Sequence, residues 1–81
     1  MVSKMVKLET VEKVKRFVAL ITPYPYEIDI CSGRFLVDAR SIQGIFSLDT
    51  SKPVQVVIHA DDCGALLDEL DAFAYKEQPE I

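Results

Sequence analysis

The chain has no tryptophan, one histidine, two cysteines and three glycines among its 81 residues. The cysteines, Cys31 and Cys63, are too few for a disulfide framework and do not form a CxxC pair. With a single histidine and no metal-ligand spacing they do not suggest a zinc site either, and both thiols read as small hydrophobes. The carboxylates Asp61, Asp62, Asp68 and Asp71 lack the spacing of a calcium loop; capping and a solvated helix face account for them. No metal and no cofactor are therefore expected. No apolar run approaches the roughly 20 residues that span a bilayer. The start, Met1-Val2-Ser3-Lys4-Met5, lacks the apolar stretch of a signal peptide. A cytoplasmic location without a membrane partner follows as the expectation. Repeats, low-complexity tracts and dividing linkers are also missing, so residues 1–81 are read as a single domain.

Basic residues are scarce in the second half of the chain. Residues 1–40 hold seven Lys/Arg against five Asp/Glu, whereas residues 41–81 hold two against eight, and the net charge is −4. Such an acidic chain is a poor partner for nucleic acid. The stripe Lys13, Lys15, Arg16 reads as a solvated helix face.

What is present is a folding pattern: 49% hydrophobic and 9% aromatic residues suit a folded domain with a thin core. Val2 to Leu8 alternates towards its end as a strand does. Thr10 is placed to cap a helix in which Val11, Val14, Phe17, Val18 and Ile21 recur on one face. Glu12 lies in its first turn, where the helix dipole favours negative charge, and Pro23 and Pro25 stop it. Tyr24 and Tyr26 between those prolines read as a plug between helix and hairpin. Tyr26 to Ser32 alternates, with Ile28 and Ile30 on one side and Glu27, Asp29 and Cys31 on the other. Ser32-Gly33-Arg34 is a tight turn that uses the freedom of Gly33, and Phe35 to Asp38 returns as the partner strand. Ser41 caps a short helix from Ile42 to about Ser47. The loop Asp49 to Pro53 follows. The β-branched run Val54 to Ala60 predicts a central strand with Val56, Ile58 and Ala60 towards the core. Asp61 or Asp62 is expected to cap a last helix whose apolar face is Cys63, Leu66, Leu67, Leu70, Phe73 and Ala74. The order is β-α-β-β-α-β-α, and an α/β (α+β) sheet with helices on one face is the simplest burial for it. The other sheet face stays open, which explains the polar alternation and leaves room for weak dimerisation there, beside Val57 and Cys31.

Within Arg40-Ser41-Ile42-Gln43-Gly44-Ile45-Phe46-Ser47-Leu48, the core Ser-Ile-x-Gly-Ile-x-Ser-Leu resembles the segment around the regulatory serine of HPr, the small phosphocarrier of the bacterial phosphotransferase system. The resemblance runs from about Thr10 to Tyr75. It implies an open-faced β-sandwich: a four-stranded antiparallel sheet in the order 1-4-2-3, with three helices on one face. It departs at one place. Members of that family carry phosphate on a histidine in a Gly-x-His-x-Arg-Pro-type stretch before the first helix. Here the corresponding stretch reads Leu8-Glu9-Thr10-Val11-Glu12-Lys13, with Glu12 about where the family has an arginine. An imidazole nucleophile at a helix start with cationic help is what that chemistry requires. His59, in a strand on the open face, does not replace it. The resemblance therefore implies a non-enzymatic regulator or adaptor, related to sugar transport and carbon-catabolite regulation and not competent as a histidine phosphocarrier. Ser41 is then the candidate for regulatory phosphorylation, with Arg40 as an adjacent cation. Ile42, Gln43, Ile45 and Phe46 are the candidate partner-docking residues, with Ile45 and Phe46 as the exposed patch. An HPr-type serine kinase or phosphotransferase-system components are the implied protein partners of a monomer or weak dimer. Two plainer readings stand beside this one: Ser41 as a helix cap and nothing more, and an orphan interaction module that retains only the fold.

Overall fold

The protein is described by a computed structural model, in which residues 1–74 are placed. Four strands and three helices follow in the order β1 (Val2–Val6), α1 (Val11–Ile21), β2 (Ile28–Ser32), β3 (Phe35–Asp38), α2 (Ile42–Phe46), β4 (Val54–Ile58) and α3 (Gly64–Leu70), the last continuing into a 3₁₀ turn, Asp71–Phe73. The strands form one antiparallel sheet in the order β1-β4-β2-β3. This is the open-faced α+β architecture expected from the element pattern, with the β-branched β4 inside the sheet.

The core lies between the sheet and the helices. Val6, Ile28, Ile30, Val54, Val56 and Ile58 supply the sheet side, and Val14, Phe17, Ile21, Leu66 and Leu70 the helix side. Phe17 meets Phe73 edge to face at 6.1 Å, a favoured aromatic geometry that ties α1 to the turn after α3. Residues of alternate register, Ser3, Met5, Gln55, Val57, Asp29, Cys31, Leu36 and Asp38, occupy the open face. No described helix is long and apolar enough to cross a membrane.

Local chemistry sets the element ends, and several differ from the sequence expectation. Thr10 caps α1 as expected, its hydroxyl accepting from the Lys13 N–H at 3.1 Å. Strand β1 stops at Val6 rather than Leu8. Its partner β4 begins at Val54, paired with Val6, and Pro53 has no N–H with which to extend the ladder. Past that point the Lys7 N–H donates to the Phe73 carbonyl instead, and Val6 bridges to Ala74. Neither Asp61 nor Asp62 caps α3: Cys63 holds the N-cap position and makes no side-chain cap hydrogen bond. The apolar face of that helix is broken at Leu70, although the 3₁₀ turn still buries Phe73. Tyr75, where the sequence resemblance ends, lies outside the described residues. In the β2–β3 turn, Gly33 takes φ +60° and no other described residue has a positive φ, as a two-residue type II′ connection requires.

Burial separates residues that periodicity had grouped. Val11 belongs to the apolar stripe of α1 in sequence, yet it is 55% exposed, whereas Leu66 is fully buried. Leu66→Ala is therefore expected to lower the unfolding free energy by about 2–5 kcal/mol. Val11→Ala should stay within about 0.5 kcal/mol of the parent. Urea unfolding of the two variants, followed by circular dichroism, makes the comparison.

Candidate functional site

Ser41 closes the turn between β3 and α2. Its backbone N–H donates to the Asp38 carbonyl at 3.0 Å, and its own carbonyl accepts from the Ile45 N–H at 3.0 Å. Its hydroxyl accepts from the Gly44 N–H at 3.0 Å, so it is the expected helix cap. Gly44 has a steric role. A Cβ there would stand 3.0 Å from the Ser41 hydroxyl oxygen and 3.3 Å from the Val37 Cβ, so a larger residue would push the cap and β3 apart by a few tenths of an ångström.

The short helix then sorts the expected docking residues. Ile42 and Phe46 are i and i+4, share one face, and are 38% and 44% exposed; Gln43 is exposed beside them. Ile45 is not part of this surface. It was expected to be exposed with Phe46, but it is fully buried in the core, and Leu48 is buried with it. At about one hundred degrees per residue Ile45 flanks Ile42 at about 60°, and the core-facing side of α2 is the one that carries Gly44, Ile45 and Leu48, while Ile42, Gln43 and Phe46 take the remaining arc.

Arg40 also departs from expectation. Its guanidinium does not face Ser41. It donates to the carbonyls of Tyr26 at 2.9 Å, Ile21 at 3.1 Å and Tyr24 at 2.6 Å. It thereby joins the Tyr24 N–H, which donates to Ile21 at 3.0 Å, on the last carbonyl of α1, and pins the proline-flanked loop to the β3–α2 corner. Its backbone N–H is held by the Asp38 carboxylate at 2.9 Å. The loop it grips carries the stacked pair Tyr24 and Tyr26, ring centroids 5.9 Å apart. Tyr24 donates to the Glu69 carboxylate at 2.8 Å, and that bond raises the phenol above its ordinary pKa. Tyr26 donates to the Asp62 carbonyl at 3.0 Å. Both tyrosines are half-buried, in keeping with the plug reading.

The segment before α1 presents the Thr10 cap and an ion pair between Glu9 and Lys13, whose hydrogen bond holds the Glu9 carboxyl below its ordinary pKa. His59 lies one residue past the end of β4 rather than within it. Its Nε2 meets the Asp29 carboxylate at 2.8 Å on the open face, a partnership that periodicity alone did not reveal. Two further exposed apolar residues, Phe35 and Leu36, were not singled out by sequence. The available signal was that neighbours in a strand point to opposite faces, so they cannot both enter one core.

Replacing Arg40 tests the clamp. Arg40→Ala is expected to cost about 1–3 kcal/mol, since three carbonyls lose a charged donor. Arg40→Lys should recover little of this, because one ammonium cannot match the fork that spans them. The readout is the urea midpoint, together with the amide shifts of residues 21–26 by NMR.

No protein-family description and no curated protein matches the chain. Solved structures do. HPr-C-His from Thermoanaerobacter tengcongensis superposes with a TM-score of 0.74 at 22% identity, over 89% of this chain and 89% of that one. The phosphocarrier protein HPr from Bacillus anthracis str. Ames superposes with a TM-score of 0.72 at 26% identity, over 91% of this chain and 96% of that one. The sheet order, the single helical layer and these superpositions together give the chain the HPr-like open-faced α+β fold, structurally related to the phosphocarriers of the phosphotransferase system.

Proposed function

We propose that this chain is a non-catalytic, HPr-like regulatory or adaptor protein of the sugar phosphotransferase network, docking cytoplasmic protein partners through Ser41 and the outer side of α2. The observation that carries the reading is the pairing of a cap serine with an exposed apolar helix face. Ser41 opens α2, and Ile42, Gln43 and Phe46 present their side chains outward on the same two turns. Two large apolar residues that the core does not use have a use at an interface, where buried aromatic anchors dominate binding energy.

The reading excludes histidine phosphocarrier activity on chemical grounds. Phosphoryl transfer to imidazole needs a histidine at a preorganised, cation-assisted position. The start of α1 holds Thr10, Glu9 and Lys13, and the single histidine is engaged with Asp29 on the open face.

Phosphorylation of Ser41 acts on the docking surface in this scheme. A phosphate adds roughly −1.5 to −2 charges beside Ile42 and Gln43. Arg40 is committed to three carbonyls and does not neutralise it. The modification therefore changes which partner surface fits, without a new internal salt bridge to refold the chain.

Intact-mass spectrometry tests the proposal. Incubation with ATP and an HPr-type serine kinase should add one phosphate, lost in Ser41→Ala. Incubation with phosphoenolpyruvate and the first enzyme of the system should add none. A stoichiometric, acid-labile phosphate from phosphoenolpyruvate would overturn the non-carrier reading. No phosphate in either arm would favour an interaction module outside the network. Phe46→Ala should keep the fold and weaken partner capture about tenfold or more, as expected for an interface anchor.

A further inference from the structure

Strand β3 is an edge of the sheet, four residues long, with Asp38 as its one charged residue. Edge strands ordinarily carry charge, proline or a covering segment that prevents pairing with another chain. The opposite edge, β1, meets this need: Lys4 interrupts it, Val6 bridges to Ala74 and the Lys7 N–H is taken by Phe73. Strand β3 reads Phe35-Leu36-Val37-Asp38, with Phe35 70% and Leu36 63% exposed.

The ladder shows which backbone groups face out. The Ala39 N–H donates to the Ile28 carbonyl at 3.0 Å, so Ile28 and Ala39 form a hydrogen-bonded pair. Antiparallel pairs alternate, so Ile30 with Val37 and Ser32 with Phe35 are also bonded to β2. The backbone N–H and carbonyl of Leu36 and the N–H of Asp38 are then directed away from the sheet, whereas the Asp38 carbonyl accepts from the Ser41 N–H at 3.0 Å.

We propose that two copies of this chain pair antiparallel along β3, joining two four-stranded sheets into one. Residues opposite each other across antiparallel strands must share a face. A two-fold axis through Leu36 sets Leu36 against its own copy, Phe35 against the second copy's Val37, and Arg34 against the second copy's Asp38. The two copies of Leu36 then exchange their outward N–H and carbonyl groups as a hydrogen-bonded pair. Moving the axis to Arg34 or to Asp38 would set like charges opposite, which destabilises cross-strand pairs. Neither Arg34 nor Asp38 has an ion-pair partner among the described residues of its own chain, and Asp38 lies directly across from Asp29 within the sheet. The second copy's Arg34 sets a cation opposite Asp38, beside the Asp29 that already meets His59. The surface is distinct from Ser41, and the pairing stands whether or not that serine is phosphorylated.

Analytical ultracentrifugation of the full chain across a concentration series is the test, with circular dichroism confirming that each variant is folded. The parent should show a concentration-dependent monomer–dimer equilibrium. Arg34→Asp and Asp38→Arg each place like charges across the axis and should weaken self-association at least tenfold. Mixing the two variants restores opposite charges at both ends, so the mixture should dimerise as the parent does. Leu36→Lys serves as a second disruptive variant if Asp38→Arg fails to fold through loss of its bond to Arg40. A parent that stays monomeric at millimolar concentration would overturn the proposal, as would charge variants that dimerise as well as the parent, the result expected of association through the open sheet face.

Discussion

The guanidinium of Arg40 joins parts of the molecule that share no secondary structure. Its donors collect the last carbonyl of α1 and two carbonyls of the loop that leads into β2, and its backbone sits at the corner where β3 turns into α2. Helix ends and proline-flanked loops leave carbonyls that no regular ladder satisfies. One planar cation with a fixed fork binds three of them and fixes the distance between the helical layer and the Ser41 corner. The position of Ser41, and of the exposed face of α2, follows from that tie.

The second constraint is one-sided burial. A sheet covered by helices on one face must alternate, and each strand does so: Val54, Val56 and Ile58 turn inward while Gln55 and Val57 turn out. The same rule gives the open face its His59–Asp29 contact and places Asp29 and Asp38 side by side. It also explains why an edge strand with two consecutive large apolar residues has surplus apolar surface. One of the pair is sent to each face, and neither finds cover.

In α2 a short helix does two jobs. Its inner side closes the core with Ile45, aided by the missing side chain of Gly44 against Val37. Its outer side holds Ile42, Gln43 and Phe46 ready for a partner. The division is geometric, and a helix this short has no further residues with which to cover what it exposes.

Periodicity and turn chemistry by themselves determined the element order, the inward residues of β2 and β4, the caps Thr10 and Ser41 and the glycine of the hairpin turn. These are local properties: a two-residue or 3.6-residue repeat, a hydroxyl three residues from an N–H, a position that needs positive φ. The resemblance at Ser41–Leu48 added the strand order. The tertiary structure alone decided that Ile45 is buried and Ile42 exposed, that Val11 leaves the stripe to which its spacing assigns it, and that β1 ends at Val6. It alone decided that Arg40 clamps carbonyls instead of standing beside Ser41, and that His59 meets Asp29. Each of these depends on what a distant segment brings to the same place: a partner strand that begins at Val54, a helix end at Ile21, a carboxylate thirty residues away. A long side chain such as arginine reaches whichever unsatisfied group the packing leaves within its length, and a local pattern carries no information about where that group will be.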